Sequence, residues 1–310
     1  GDHRDLHSFP YTTLFRSNTK KLRSMLLEYD VLVVAGFQGC DEQGRLTTLG
    51  RGGSDTSAVA LAAAVQANVC EIYTDVNGVY TTDPNVCSRA RKMERISYDE
   101  MLEFASMGAK VLQIRSVEFA KKFGVTVHVR SSFSDEEGTY VTQEDASMEA
   151  VLVSGVAYDK DQARVTVTDV QDRPGIAASL FSPLADAGIV VDMIIQNTSR
   201  QGETDMTFTV SRGELAETLN IIEGLKPQIG CAEILTDKNV SKVSVIGVGM
   251  RNHSGVASRM FQALRDENIN ILMISTSEIK VTCLIEEKYT ELAVRALHDK
   301  FGLENGPAKA

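Results

Sequence analysis

One feature limits the fold of this chain more than any other: part of its second half is written twice. Gly175, Ala177, Phe181, Leu184 and Ile189 recur as Gly255, Ala257, Phe261, Leu264 and Ile269, 80 positions on. The β-branched run 165–168 recurs at 243–246. A period this long marks a duplicated small domain, not a solenoid of short units. Each copy reads strand, glycine turn, helix, strand, strand, helix, strand. Residues 205–210 and 215–225 supply the later strand and helix of the first copy, and 279–285 and 290–301 those of the second. This is the βαββαβ ferredoxin-like pattern. Residues 151–158 are expected to be a strand lent to the second copy. The pattern carries no function by itself, because the fold hosts many.

Upstream the rhythm is that of a layered α/β sheet. A helix is expected over 19–29, a fully apolar buried parallel strand over 31–35 (Val-Leu-Val-Val-Ala) and turns over 36–50. An Ala-rich helix over 56–67 precedes a strand over 69–74. Ser97 with Glu100 forms a capping box opening a helix over 97–105. A helix over 111–123 and a strand over 125–129 complete this part. Residues 1–17 have neither helical nor strand periodicity and no signal-peptide core, and are set aside as a leader or artefact. His3 and His7 within them have the spacing of metal ligands but no partners, so no metal site is expected.

Composition narrows the function classes. The formal net charge of −10 makes the chain a poor general ligand for nucleic acid or anionic membrane. The longest apolar run, 58–65, is far short of the roughly 20 residues of a membrane span. Five scattered Cys without a Cys-x-x-Cys pair exclude a disulfide scaffold and point to a reducing, cytoplasmic setting. Any bound phosphate must therefore be held by a local arrangement.

Two segments offer one. Thr47-Thr-Leu-Gly-Arg-Gly-Gly-Ser-Asp-Thr56 stands directly before the Ala-rich helix. Gly50, Gly52 and Gly53 permit positive φ and close backbone approach. Ser54 and Asp55 fall where the helix begins, and Arg51 adds a fixed charge. A helix start offers unpaired N–H groups to an anion. The structural alternative is a tight turn capped by Ser54. No Gly-Lys-[Ser/Thr] follows, so this is not a Walker A loop. The second segment, Tyr73-Thr-Asp-Val-Asn-Gly-Val-Tyr-Thr-Thr-Asp-Pro84, leaves a strand end, where open α/β sheets bind ligands. Asp75 and Asp83 suit Mg2+ or ribose hydroxyls, and Tyr80 suits a base. The alternative is an Asx turn followed by an Asp-Pro turn.

Together V-A-G-F-Q-G (34–39), T-T-L-G-R-G-G-S-D-T (47–56), E-I-Y-T-D-V-N-G-V-Y-T-T-D-P (71–84) and R-S-V-E-F-A (115–120) resemble the aspartokinases of the amino-acid kinase family. The resemblance runs from about residue 18 to 302, and the repeats resemble ACT domains. It is closest to the lysine-pathway forms with no appended homoserine dehydrogenase. It implies ATP-dependent phosphorylation of L-aspartate to 4-phospho-L-aspartate, the first step toward lysine, threonine and methionine, with Mg2+ accompanying the nucleotide. It implies catalytic roles for Arg51, Ser54 and Asp55. It implies nucleotide contacts from Arg51, Gly52, Gly53, Ser54, Thr74, Asp75, Tyr80, Asp83, Pro84 and Asn85. It further implies feedback inhibition by lysine, threonine or both. The effector would touch Asp172, Ala177, Val190, Val191, Asp192, Gln196 and Asn197 in the first copy, and Val256, Ala257, Asn270, Ile271 and Ser277 in the second. Asp172-Arg-Pro is replaced by Asn252-His-Ser in the second copy, so the two sites need not bind alike. His253 is expected to be a solvated loop residue.

Family members open with a Lys-x-Gly-Gly strand that places a lysine on the phosphates. Residues 1–310 contain none; Lys121-Lys-Phe-Gly124 stands in the wrong place and lacks the second Gly. The chain is therefore expected to be N-terminally truncated and inactive by itself. The expected organisation is a leader over 1–17, a partial three-layer kinase domain over 18–148, and ACT domains over 149–230 and 231–310. Homo-oligomerisation, or pairing of catalytic and regulatory subunits through the ACT domains, is expected. Two other readings remain: a non-catalytic amino-acid-binding regulatory subunit, against which 18–147 argue, and a kinase for glutamate, acetylglutamate or a nucleotide monophosphate, against which the tandem repeat argues.

Overall fold

The computed structural model describes residues 13–41, 43–109, 111–197 and 202–306. His3, His7 and most of the segment set aside as a leader lie outside the described residues. The chain divides into two compact units. Of the described residues, the first holds those up to 155, 246–253 and those from 302 on; the second holds those within 156–245 and 254–301.

In the first unit, helix α1 (Thr13–Leu26) begins inside the segment set aside from the fold and stops three residues short of the expected end. The expected strand over 31–35 does not form. Those residues carry no regular structure, and Val31, Val33 and Val34 are 76, 98 and 45% exposed. Apolar side chains favour burial but cannot make a strand without a ladder partner, and the described residues provide none here. The expected turn region instead contains an antiparallel hairpin, β1 (Gln38–Cys40) with β2 (Leu46–Thr48). Next come α2 (Gly53–Val65), β3 (Cys70–Thr74), β4 (Arg95–Ser97), α3 (Tyr98–Ser106), α4 (Ile114–Phe123), β5 (Val127–Ser131), β6 (Thr139–Thr142) and the short α5 (Ala146–Glu149). Four strands form one mixed sheet in the order β3-β5-β6-β4, with β3 parallel to β5 and β5 antiparallel to β6. Helices α2 and α3 both pack against α4. The core contains Val59, Ile72, Ile96, Met101, Phe104, Val117, Val127, Val129 and Val141.

The capping box at Ser97 forms as expected. Its Glu100 is 2% exposed and does more than cap. Oε2 accepts from the Ser97 amide (3.1 Å) and hydroxyl (2.8 Å). Oε1 accepts from the Ser154 hydroxyl (2.5 Å) and the Val248 amide (3.1 Å). Four donors satisfy this buried carboxylate, which fastens two distant chain segments to the start of α3.

The second unit is one six-stranded sheet with helices. Its elements are β7 (Gly155–Gln171), α6 (Ile176–Asp186), β8 (Ile194–Gln196), β9 (Glu203–Val210), α7 (Leu215–Ile229), β10 (Ile234–Ile246), α8 (Val256–Asp266), β11 (Met273–Thr276), β12 (Lys280–Glu286) and α9 (Thr290–Lys300). The order is β11-β12-β10-β7-β9-β8. Read from β7, the first repeat has its strands in the ferredoxin-like order 4-1-3-2, with β10 as strand four. Read from β10, the second repeat has the same order, with β7 as strand four. Each repeat therefore borrows its last strand from the first strand of the other. The first core joins Val165, Val167, Leu180, Leu184, Met206, Phe208 and Ile222; a smaller cluster joins Met193, Val240, Met273 and Leu284. Among the described residues no helix is long and apolar enough to cross a membrane.

Candidate functional site

Helix α2 starts earlier than its Ala-rich composition suggests. Its N-cap is Gly52, in the left-handed region (φ 71°), with no side-chain cap, so Ser54 is not the cap and lies with Asp55 in the first turn. Gly50 is also left-handed (φ 73°). Two residues that sequence reasoning left out of the site close this loop. The Arg115 guanidinium donates to the carbonyls of Leu49 and Arg51, both at 3.3 Å. A Cβ on Gly52 would lie 1.9 Å from Gln113 Cγ, so this glycine is required by packing as well as by φ. Gly53 is buried, and a Cβ there would press on Leu49 and Phe37. The Arg115 motif was visible in the sequence, but its partners are more than 60 residues away and no local signal joins them.

Asp55 is the perturbed group of this loop. Burial raises its carboxyl above the ordinary aspartate range, opposed by hydrogen bonds from the Gln113 amide, the Ser54 hydroxyl and its own amide. The Ser54 hydroxyl donates to Oδ1 at 3.4 Å. Arg51 is exposed, so its charge is available at the mouth of the loop. The result is a glycine-lined turn with an exposed cation, a hydroxyl and a partly desolvated carboxylate at one helix start, suited to orienting an anionic or zwitterionic ligand.

Thr74 and Asp75 end β3 and its following turn; the Thr74 hydroxyl donates to Asp75 Oδ1 at 3.1 Å. Tyr80 forms an antiparallel bridge with Lys92 and is half-buried. Asp83 Oδ1 accepts the Asn85 amide at 2.8 Å, an Asx turn, and Pro84 and Asn85 are exposed. This loop is tied to the sheet, where the Thr139 hydroxyl accepts from the Val79 amide at 2.9 Å and the Thr74 carbonyl accepts from the Ser132 amide at 2.8 Å, whereas residues 49–51 are tied to α4 by Arg115. Among the described residues no three His, Cys, Asp or Glu side chains stand together as a metal site. Burial pushes the Cys70 thiol up to about 11 and the Cys283 thiol to about 12, so neither is an activated nucleophile.

In the second unit, Gly175 (φ 89°) and Gly255 (φ 101°) cap α6 and α8, also left-handed and without side-chain caps. Nothing lies within 4 Å of a Cβ built on either. Asp172, Ala177, Val190, Gln196 and Asn197 are exposed, with Val190 at 71%. The Asp172 amide donates to the Gly202 carbonyl at 2.9 Å. Val191 is half-buried and packs against the first core, so its side chain is partly spent on structure. The Asp192 amide donates to Thr209 at 3.0 Å, and its carboxylate pairs with Lys242. In the second repeat Val256 is 4% exposed and belongs to the core face of α8, whereas Asn270 and Ser277 are exposed and Ala257 and Ile271 half-buried. The Ser277 amide donates to the Lys280 carbonyl at 2.8 Å. His253 is exposed, as expected, with Nδ1 2.8 Å from the Gly249 carbonyl.

The amino acid kinase family profile matches residues 4–131, and two ACT domain profiles match 164–226 and 243–301. An aspartate kinase of Pseudomonas putida is 53% identical over 297 residues, covering 96% of this chain and 72% of that protein. Aspartokinase III of E. coli, solved with aspartate and ADP in its R-state, superposes with a TM-score of 0.78 at 31% identity over 94% of this chain. The same protein with lysine and aspartate in its T-state gives 0.75 at 31% identity over 94% of this chain. The chain spans 64% of the length of either E. coli structure. On the matched kinase and ACT domains and on 53% identity to an aspartate kinase across 96% of this chain, the chain belongs to the aspartokinases.

Proposed function

We propose that this chain carries the nucleotide and aspartate contacts of an enzyme that transfers the γ-phosphoryl group of ATP to the β-carboxylate of L-aspartate. A carboxylate oxygen bonds to the γ-phosphorus as its bond to the bridging oxygen breaks, giving 4-phospho-L-aspartate and ADP. The observation that carries this reading is the closed glycine loop over 50–55, in a chain that is 53% identical to an aspartate kinase. The E. coli relative solved with aspartate and ADP supports it. Phosphoryl transfer needs alignment and neutralised charge more than covalent help. In this reading Arg51 holds negative charge, the Ser54 hydroxyl and first-turn amides orient the amino acid, and Asp55 meets its ammonium. Thr74, Asp75 and Tyr80 hold the nucleoside, with Asp83, Pro84 and Asn85 beside it. Mg2+ arrives with ATP, whose phosphates supply most of its oxygen ligands; Asp75 and Asp83 have the right donor chemistry to complete the set.

The ACT domains are proposed to bind lysine, threonine or both as feedback inhibitors. The lysine-bound T-state of the E. coli relative supports lysine. The strands β8 and β11 end the six-stranded sheet, with Ile194 and Ile274 half-exposed on them. Free edges of this kind invite pairing with a second ACT-bearing chain, so residues 149–310 are proposed to dimerise with effector at the seams.

The 310-residue polypeptide alone is proposed to be inactive, since its sequence contains no Lys-x-Gly-Gly run. The test is Mg-ATP-dependent acyl phosphate formation, trapped as hydroxamate. Signal from the isolated chain would refute the inactivity. In a full-length aspartokinase containing these residues, Arg51→Ala and Asp75→Ala should each lower turnover at least tenfold. Unchanged turnover in both would show the roles to be misassigned.

A further inference from the structure

The first repeat contains a charge pair that the second lacks. Lys242 on β10 is 3% exposed, and its ammonium pairs with Asp192 Oδ2. The Asp192 side chain is itself 55% exposed. Alternation along β10 puts Val240, Lys242 and Ser244 on one face. Val240 packs there against Met193, Met273 and Leu284, and the Ser244 hydroxyl meets that of Thr282 at 2.6 Å. Thr209, the backbone partner of Asp192 and Met193, has a buried hydroxyl with no hydrogen-bond partner among the described residues. At the repeat offset of 80, Met193 becomes Met273 but Asp192 becomes Leu272, which packs against the same cluster.

A buried ammonium without a counter-ion is too costly to keep, so Asp192 is first of all the partner of Lys242. A carboxylate that already carries its own cation presents a dipole to a ligand, not a full negative charge. A ligand bearing only an ammonium is drawn by Asp192 and repelled by Lys242. A ligand with ammonium and carboxylate on one carbon is complementary to both ends. This rests on the effector reading above. We propose that Lys242 is a specificity-determining residue, making the Asp192 site select α-amino acid zwitterions over the corresponding amines.

The test is titration calorimetry on the 310-residue chain with two matched pairs: L-lysine against 1,5-diaminopentane, and L-threonine against 1-aminopropan-2-ol. The wild type should favour the bound amino acid by at least about tenfold. Lys242→Met should cut that preference about tenfold, chiefly because the amine gains, while Lys242→Arg should retain it. Lys242→Gln is read in the same way as Lys242→Met, and thermal melting checks that each variant is folded. An unchanged preference in folded Lys242→Met or Lys242→Gln overturns the proposal and leaves the effector reading standing. A wild type that binds neither amino acid removes the effector reading and this proposal with it.

Discussion

Among the described residues three α-helices start the same way, and comparing them separates two uses of one device. Helices α2, α6 and α8 each begin on a left-handed glycine, Gly52, Gly175 or Gly255, with no side-chain cap. At Gly52 the space above the turn is filled by Gln113, and Arg115 fastens the neighbouring carbonyls. At Gly175 and Gly255 that space is open. The first loop is a closed, packed turn, the form that the proposed alignment of reactants for phosphoryl transfer would demand. The other two leave backbone uncovered where a small ligand can approach.

The comparison is sharpened most by replacing each glycine. Gly52→Ala pays for both backbone strain and collision with Gln113, and should cost about 3 kcal/mol or more in urea unfolding of the first unit. Adding Gln113→Gly should recover part of that; no recovery would mean that packing is not the cause. Gly175→Ala and Gly255→Ala meet strain alone and should cost about 1–2 kcal/mol each. A cost at either equal to that at Gly52 would erase the distinction.

The smallest effect concerns charge. Helix α2 has an acidic residue in its first turn, whereas α6 and α8 have none. Burial raises the Asp55 pKa above its ordinary value of 3.8. The folded state therefore binds the proton more tightly than the unfolded one, and this group's contribution to stability falls as pH rises from 3.8 through the raised value. Asp55→Asn should stabilise the chain at pH 7 by under about 1 kcal/mol after solvent screening, and the gain should vanish below the ordinary aspartate range. A gain that persisted there would point to packing, not ionisation.

Much of this was legible in the residues, for definable reasons. The repeat was readable because its glycines and core positions recur at one offset, and the Ser97 capping box because it is local. The second strand of each repeat had no readable bounds, being only three or four residues long: Ile189 and Ile269 are buried ahead of it, and the strands begin at Ile194 and Met273. Strands β4 and β6 went unseen because three or four residues give too little alternation to read. The run 31–35 misled because apolarity records a need for burial without showing what meets it. Gln113 and Arg115 went unassigned to the site because their contacts are long-range.

The shared strands also set an order of events during synthesis. The strand β7 waits for β10, which emerges roughly 80 residues later, about 4–16 seconds at ~5–20 residues per second. Throughout that interval Val165 and Val167 have half a sheet to lean on. The second repeat waits longer still, until α9 has left the ribosome. Neighbouring nascent chains on one message can trade β7 and β10 in this window, and a traded pair satisfies the same ladder as a single chain. Slow or crowded translation should therefore favour entangled dimers of the ACT region, a failure mode built into the way the duplication was closed.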